Sequence, residues 1–355
     1  MSNLVIIFGA GASHDVLQGE GVHVCNENFR PPLTNGIFDR KFDDLMSDFG
    51  SLGELKPEIR GHVARNKSLE DFLKQKRDFS PKNKQIAAQL AGLRLYLKRL
   101  FFEISNRFIP LNNTKTQQNN YVSLLNHIKN LGINNPTLIT FNYDLFLDRA
   151  IHQVFGREFW DINSYCNDLT SAKLFKVHGS VDWVYFIQND FRREIESLDT
   201  AARWISNRET SKRELKGGGL FKDEIIIKID EDRLGDYQTS SDKSVIAPAL
   251  AIPLPSEKDF IIEVHRTLIA QELVNVSTVV VIGWSAGDEH FRKFMKEHIK
   301  EDIVDLFIID APNKSKAAVD NLSSKDAPKW KKITVHESGF SGFISDLNLI
   351  KQVFG

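Results

Sequence analysis

The run Leu4 to Phe8 passes without a polar turn into Gly9, Ala10, Gly11, Ala12 and Ser13. A strand apolar on both faces must be covered on both faces, and glycines at its end admit a closer approach than any Cβ allows. This confines the chain to a layered α/β arrangement with a tight passage after its first strand. The glycines either let backbone amides cradle a phosphate or simply make a tight turn. The third glycine of the G-x-G-x-x-G spacing is absent, and Ser13 stands near the start of the following helix.

Further apolar, β-branched runs at Thr137 to Phe141, Leu174 to Val177, Ser244 to Ala247, Thr278 to Ile282 and Asp305 to Ile309 read as strands. Several are apolar on both faces, with helical patterns between them, so the expected fold class is α/β, a Rossmann-like doubly wound and mostly parallel sheet. Leu147, Ala150, Ile151, Val154 and Phe155 make one helical stripe that ends at Gly156. Ile86, Leu90, Leu93, Leu97, Leu100, Phe101 and Ile104 recur at helical spacing, as do Leu124, Leu125 and Ile128, without an intervening strand. With 355 residues the chain holds two domains or one core with large insertions. The expected division is a Rossmann core of residues 1–40, 132–184 and 244–355, a helical insertion at 41–131, and a charged insertion at 185–243. The charged insertion carries Gly217, Gly218 and Gly219 and one strand-like run, Glu224 to Ile229.

Lys and Arg number 46 against 47 Asp and Glu, which argues against strong direct binding of nucleic acid. The two cysteines, Cys25 and Cys166, are too few for a disulfide framework or a four-cysteine zinc site. His14, His23 and Cys25 fit no common zinc spacing, so no metal is expected. No apolar run approaches the roughly 18 to 20 residues of a membrane span, and no secretory leader is recognised, so the expected location is cytoplasmic.

The chemistry-bearing residues cluster where strands end. Thr140, Phe141, Asn142, Tyr143 and Asp144 stand at the carboxyl end of one predicted strand, the edge at which open α/β sheets bind ligands. Asn142 there can donate and accept at once, so it suits a ribose hydroxyl and a water, while ordinary capping of the next helix is the alternative for Asn142 or Asp144. His178, in the run Lys176, Val177, His178, Gly179, Ser180, Val181, Asp182 and Trp183, leaves another strand end, and histidine is a residue type suited to proton transfer. A satisfied structural histidine is the alternative. Gly283, Trp284, Ser285, Ala286, Gly287 and Asp288 repeat the strand, glycine turn and helix start, with Ser285 and the turn amides able to bind phosphate or ribose. Asp310 at its strand end suits an adenosine ribose hydroxyl, or serves as a cap.

In order and spacing, Gly9 to Ser13, Pro31 to Thr34, Thr140 to Asp144, Lys176 to Trp183 and Gly283 to Asp288 together resemble the sirtuin family, in its divergent bacterial branch of NAD hydrolases of antiviral defence. The resemblance covers about half the chain and neither insertion. It implies a sirtuin-like core with NAD+ as substrate, cleaved to nicotinamide and ADP-ribose. Gly9, Ala10, Gly11, Ser13, Thr140, Asp144, Gly283, Ser285 and Asp310 are then the NAD-binding residues, Asn142 and Asp144 approach the nicotinamide ribose, and His178 is the base. It also implies a homo-oligomer and a separately encoded partner such as a HerA-like ATPase. The chain departs from the deacylating sirtuins in having no paired Cys-x-x-Cys zinc module, and from the defence branch in carrying Trp284 where tyrosine is usual. A protein deacylase or ADP-ribosyltransferase, and a non-catalytic NAD or ADP-ribose sensor, are the alternative activities.

Overall fold

A computed structural model describes residues 3–17, 27–65, 67–80, 83–108, 119–166, 171–188, 194–216, 225–229, 236–252 and 263–355. Its strands are β1 (Asn3–Phe8), β2 (Thr137–Thr140), β3 (Lys173–Lys176), β4 (Gly179–Ile187), β5 (Ile227–Lys228), β6 (Val245–Leu250), β7 (Val276–Ile282), β8 (Asp305–Ile309) and β9 (Lys332–His336). The chain divides into two compact units, one of residues 1–31, 105–177 and 263–355, the other of residues 32–104 and 178–262.

The first unit is built on a six-stranded sheet in the order β3-β2-β1-β7-β8-β9, parallel throughout. Counted within the sheet this is the doubly wound order 3-2-1-4-5-6, so the expected Rossmann-like α/β architecture holds. Val5 to Phe8 and Val279 to Ile282 are at most 1 % exposed, because parallel strands joined by helical crossovers are covered on both faces. The order reverses between β1 and β7, and there the register lines the strands up. Phe8 is level with Thr140 and Ile282, Thr140 with Lys176, Ile282 with Ile309, and Ile309 with His336. Gly9, Phe141, Val177, Gly283, Asp310 and Glu337 are therefore each the first residue past one common row at the carboxyl edge.

The second unit has a three-stranded sheet, β5-β4-β6, antiparallel throughout. The segment Ser244 to Ala247 was expected in the Rossmann core; it forms β6, which pairs with β4 in this smaller sheet. The pattern that makes a strand says nothing about its partner. The helical repeat beginning at Ile86 forms the helix Lys84–Arg107, within which the division between units falls after Ile104. The helix Asn120–Asn130 belongs to the first unit. From Leu90 to Phe101 the long helix is buried almost all round, which brings polar residues inside. Arg94 pairs there with the Glu209 carboxylate, which also accepts a 2.9 Å hydrogen bond from the Tyr185 hydroxyl.

Among the described residues no helix is long and apolar enough to cross a membrane. Gly217, Gly218, Gly219, His23 and Cys25 lie outside the described residues.

Removing one partner of a buried ion pair leaves the other charge desolvated and uncompensated. Arg94→Leu is expected to destabilise the protein by about 3–5 kcal/mol, read as a lower denaturant midpoint. Tyr185→Phe, which removes one hydrogen bond to the same carboxylate, is expected to cost about 2 kcal/mol.

Candidate functional site

At the reversal of strand order the loops after β1 and β7 touch backbone to backbone. Gly9 N donates to Ile282 O at 3.0 Å and Gly11 N to Gly283 O at 2.9 Å, while Ala12 N turns back to Gly9 O at 3.0 Å. A Cβ on Gly9 would stand 2.5 Å from Trp284 Cα, and one on Gly11 2.9 Å from Gly283 Cα. Gly283 has φ +59°, and a Cβ there would meet Ala12 N at 2.3 Å. All three glycines are thus required by the chain's approach to itself. The amides of Gly9, Gly11 and Ala12 already donate to protein carbonyls, so a phosphate cradle made of these three does not form. The loop continues into the short helix Ala10–His14, on which Ser13 is buried.

Asn142 converges on the same point from β2. Its Nδ2 donates to Gly9 O at 2.9 Å and to Ser13 Oγ at 3.0 Å, with the Tyr121 hydroxyl 3.4 Å away. Because Gly9 O only accepts, the amide orientation is fixed, and Oδ1 faces away from these partners as an acceptor. The sequence suggested an asparagine that donates and accepts at once; its donor side is engaged within the protein. Thr140 Oγ1 accepts from Asn142 N at 3.1 Å and shapes the turn.

Asp144 is buried, and its Oδ1 accepts from Phe146 N at 3.2 Å at the start of the helix Phe146–Phe155. Among the described residues its Oδ2 has no hydrogen-bond partner. Burial pushes the Asp144 pKa up, and the nearby Lys176 charge opposes it without cancelling it. Lys176, at the end of β3 with a fully buried side chain, donates to Asp144 O at 2.7 Å and pairs with Asp148 at 2.8 Å. Tyr165 donates to the other oxygen of Asp148 at 2.9 Å. The loop carrying Asn142 and Asp144 is therefore anchored to β1 on one side and β3 on the other.

The remaining expected residues are more dispersed. Ser285 is exposed, and its carbonyl accepts from Asn321 Nδ2 at 2.9 Å. Trp284 is buried and stacks on Phe141 with ring centroids 4.6 Å apart, so its ring fills the strand end. Asp310 is half-buried at the end of β8, where its Oδ1 accepts from Ala311 N at 2.8 Å and burial raises its pKa. His178 is half-buried and is the first residue of the second unit. It directly follows Val177, whose amide donates to Thr140 O at 2.9 Å, and its own carbonyl accepts from Ala251 N at 3.0 Å.

Two contributors carry no role in the sequence reading, Tyr121 and the Lys176–Asp148–Tyr165 group. Tyr121 lies four and seven residues before Leu125 and Ile128, so the same helical stripe would have placed it on the buried face. His14 Nδ1 lies 2.7 Å from Pro31 O. Among the described residues no group of three or more His, Cys, Asp or Glu side chains could hold a metal ion.

No family model and no curated protein matches the chain. Among solved structures, a Sir2 homolog–NAD complex aligns at 11 % identity over 99 % of this chain and 91 % of that one, with a TM-score of 0.45. Sir2 in complex with the inhibitor EX-527, 2'-O-acetyl-ADP-ribose and deacetylated p53 peptide aligns at 13 % identity over 99 % and 93 %, with a TM-score of 0.40. Sir2Tm bound to a propionylated peptide aligns at 12 % identity over 99 % and 92 %, with a TM-score of 0.39.

Gly283→Ala is expected to destabilise by about 2–4 kcal/mol, through strain at positive φ plus overlap with Ala12 N. Gly156→Ala has a similar φ of +67° but nothing within 4 Å of the added Cβ, so it should cost only about 1 kcal/mol in the same denaturation assay. A second expectation follows from the raised Asp144 pKa. Between the unfolded carboxylate value of 3.8 and the higher folded value, only the folded state holds the proton, so wild-type stability falls as pH rises through that window. Asp144→Asn lacks this fall. Its stability relative to wild type should rise with pH from about 4 and level off above the folded pKa, measured by denaturation at a series of pH values.

Proposed function

We propose that the protein is an NAD+ glycohydrolase that cleaves NAD+ to nicotinamide and ADP-ribose. The observation that carries this reading is the locked amide of Asn142, which offers Oδ1 as an acceptor at the carboxyl edge, beside the reversal of strand order where doubly wound sheets bind dinucleotides. The sequence resemblance to sirtuin-like NAD hydrolases supports the same chemistry.

In this reading the C1′–N bond of NAD+ breaks and its electron pair goes to the pyridine nitrogen. Nicotinamide therefore leaves as a neutral molecule without an acid. The remaining barrier lies in the oxocarbenium-like ribose and in placing water at C1′. Asn142 Oδ1 accepts from a ribose hydroxyl or from that water. As the new C1′–O bond forms, the water proton passes to His178, directly or through a ribose hydroxyl. Gly9, Ala10, Gly11, Ser13, Thr140, Asp144, Gly283, Ser285 and Asp310 make up the proposed NAD-binding set. Since Gly9 and Gly11 donate their amides within the protein, their part is to bring the loops together, leaving direct contact to neighbouring amides and to Ser285.

An NAD hydrolase active without restraint would deplete its own cell. The proposal therefore includes control by assembly or by a trigger, with a homo-oligomer, a role in antiviral defence and a partner such as a HerA-like ATPase, as the resemblance implies.

The test is incubation of the purified chain with NAD+, alone and with the products of neighbouring genes, followed by chromatography of nicotinamide and ADP-ribose. His178→Ala is expected to lower kcat by about 10²- to 10⁴-fold, and Asn142→Ala by a comparable factor. NAD+ that persists under every condition, or undiminished cleavage by both variants, would overturn the reading. Release of O-acetyl-ADP-ribose from an acetylated peptide would replace it with a deacylase.

A further inference from the structure

Tyr121 contributes an aromatic hydroxyl to the cluster around Asn142, and its surroundings leave it little freedom. The residue is 1 % exposed. Its ring meets Phe8 edge-on at 5.2 Å and Phe340 at 5.5 Å, an arrangement that aromatic pairs favour. The helix that carries it, Asn120–Asn130, is capped by Asn119 Oδ1, which accepts from Val122 N at 2.8 Å. Asn120 fixes the same end, its backbone N donating to Val16 O at 2.7 Å and its Nδ2 to Asp15 O. Helix start and ring are therefore both held, and the hydroxyl is a fixed point against which other groups orient.

Its neighbours are Ser13 Oγ at 2.9 Å and Asn142 Nδ2 at 3.4 Å. A serine hydroxyl has one proton and two lone pairs, and by itself turns freely. When the Tyr121 hydroxyl donates to Ser13 Oγ, the other Ser13 lone pair receives Asn142 Nδ2, and the Ser13 proton is left for the Asp144 carboxyl, whose charged form it favours. The asparagine amide is then held by a backbone carbonyl, Gly9 O, and by the Ser13 hydroxyl, with Tyr121 in contact with both Ser13 Oγ and Asn142 Nδ2. We propose that Tyr121 is a positioning residue that, through Ser13, fixes the amide of Asn142 with Oδ1 presented to substrate. The catalytic part of this inference rests on the NAD+ cleavage reading above; the hydrogen-bonded arrangement does not.

Tyr121→Phe keeps the ring packing and removes only the hydroxyl, so it separates positioning from folding. Two readouts apply. In protein labelled with ¹⁵N-asparagine, the Asn142 side-chain amide is the pair of resonances absent from Asn142→Asp, and its hydrogens should exchange with solvent at least about tenfold faster in Tyr121→Phe, the order expected for loss of one hydrogen bond. In NAD+ turnover, kcat should fall about tenfold while KM stays within about twofold, as for an interaction that orients a reacting group. Ser13→Ala should speed the same exchange, and the effects of the two substitutions should be less than additive, because Tyr121 and Ser13 hydrogen-bond each other as well as the Asn142 amide. If Tyr121→Phe fails to fold, Ser13→Ala carries the exchange readout alone, because Ser13 also belongs to the proposed NAD-binding set and its loss would move KM as well. Unchanged exchange overturns the inference, and so does unchanged kcat in an enzyme that turns over NAD+. Wild-type protein that cleaves no NAD+ but shows the faster exchange in Tyr121→Phe would overturn the function and leave the positioning established.

Discussion

The structure depends on a contact between two stretches of backbone. After β1 and β7 the chain runs so close to itself that Gly9, Gly11 and Gly283 have no room for a side chain, and amide-to-carbonyl bonds join the loops. The contact follows from the topology. Strand order reverses between these two neighbours, and their last residues, Phe8 and Ile282, are level, so both loops leave the sheet at one height. Two ordinary side chains there would force the loops apart and move Gly9 O, the carbonyl on which Asn142 depends. Glycine at these positions serves local packing first, and any ligand inherits the resulting geometry.

The second constraint is electrostatic. Where the loop after β2 enters the helix Phe146–Phe155, two buried carboxylates, Asp144 in the loop and Asp148 in the helix's first turn, lie near the fully buried ammonium of Lys176 at the end of β3. A lone charge at this depth would be prohibitively costly, so the ammonium is shared between a carboxylate and the Asp144 carbonyl, and Tyr165 completes Asp148. One result is a loop fastened at both ends, suited to holding Asn142 in a single orientation. Another is that the Asp144 carboxyl is the less compensated of the two, its pKa raised by burial.

Much of the sheet was legible because its strands are apolar on both faces. Leu4 to Phe8, Thr278 to Ile282 and Asp305 to Ile309 read as strands of a parallel sheet covered by helical crossovers. The last strand, β9, was not legible. Lys332 to His336 lies at the sheet edge with its side chains exposed or half-buried, so nothing forced an apolar run. The placement of Val245–Leu250 in the small antiparallel sheet was hidden for another reason: β4 and β6 are far apart in sequence, and their pairing leaves no local mark.

For the candidate site, the sequence alone determined the residue types at the strand ends: the glycines after β1 and β7, Asn142 and Asp144 after β2, His178 two residues beyond β3, Asp310 after β8. Local periodicity and turn chemistry suffice for that, since both are properties of consecutive residues. Only the tertiary structure decided which hydrogen bonds those residues already make. It engaged the amides of Gly9 and Gly11 with the end of β7 and the residue after it, turned the donor side of Asn142 toward Gly9 and Ser13, brought the Tyr121 hydroxyl to it from the helix Asn120–Asn130, and bonded Lys176 to the Asp144 carbonyl. The physical reason is that a buried polar group must be satisfied by whatever lies nearest in space, and proximity in space is set by strand order and register.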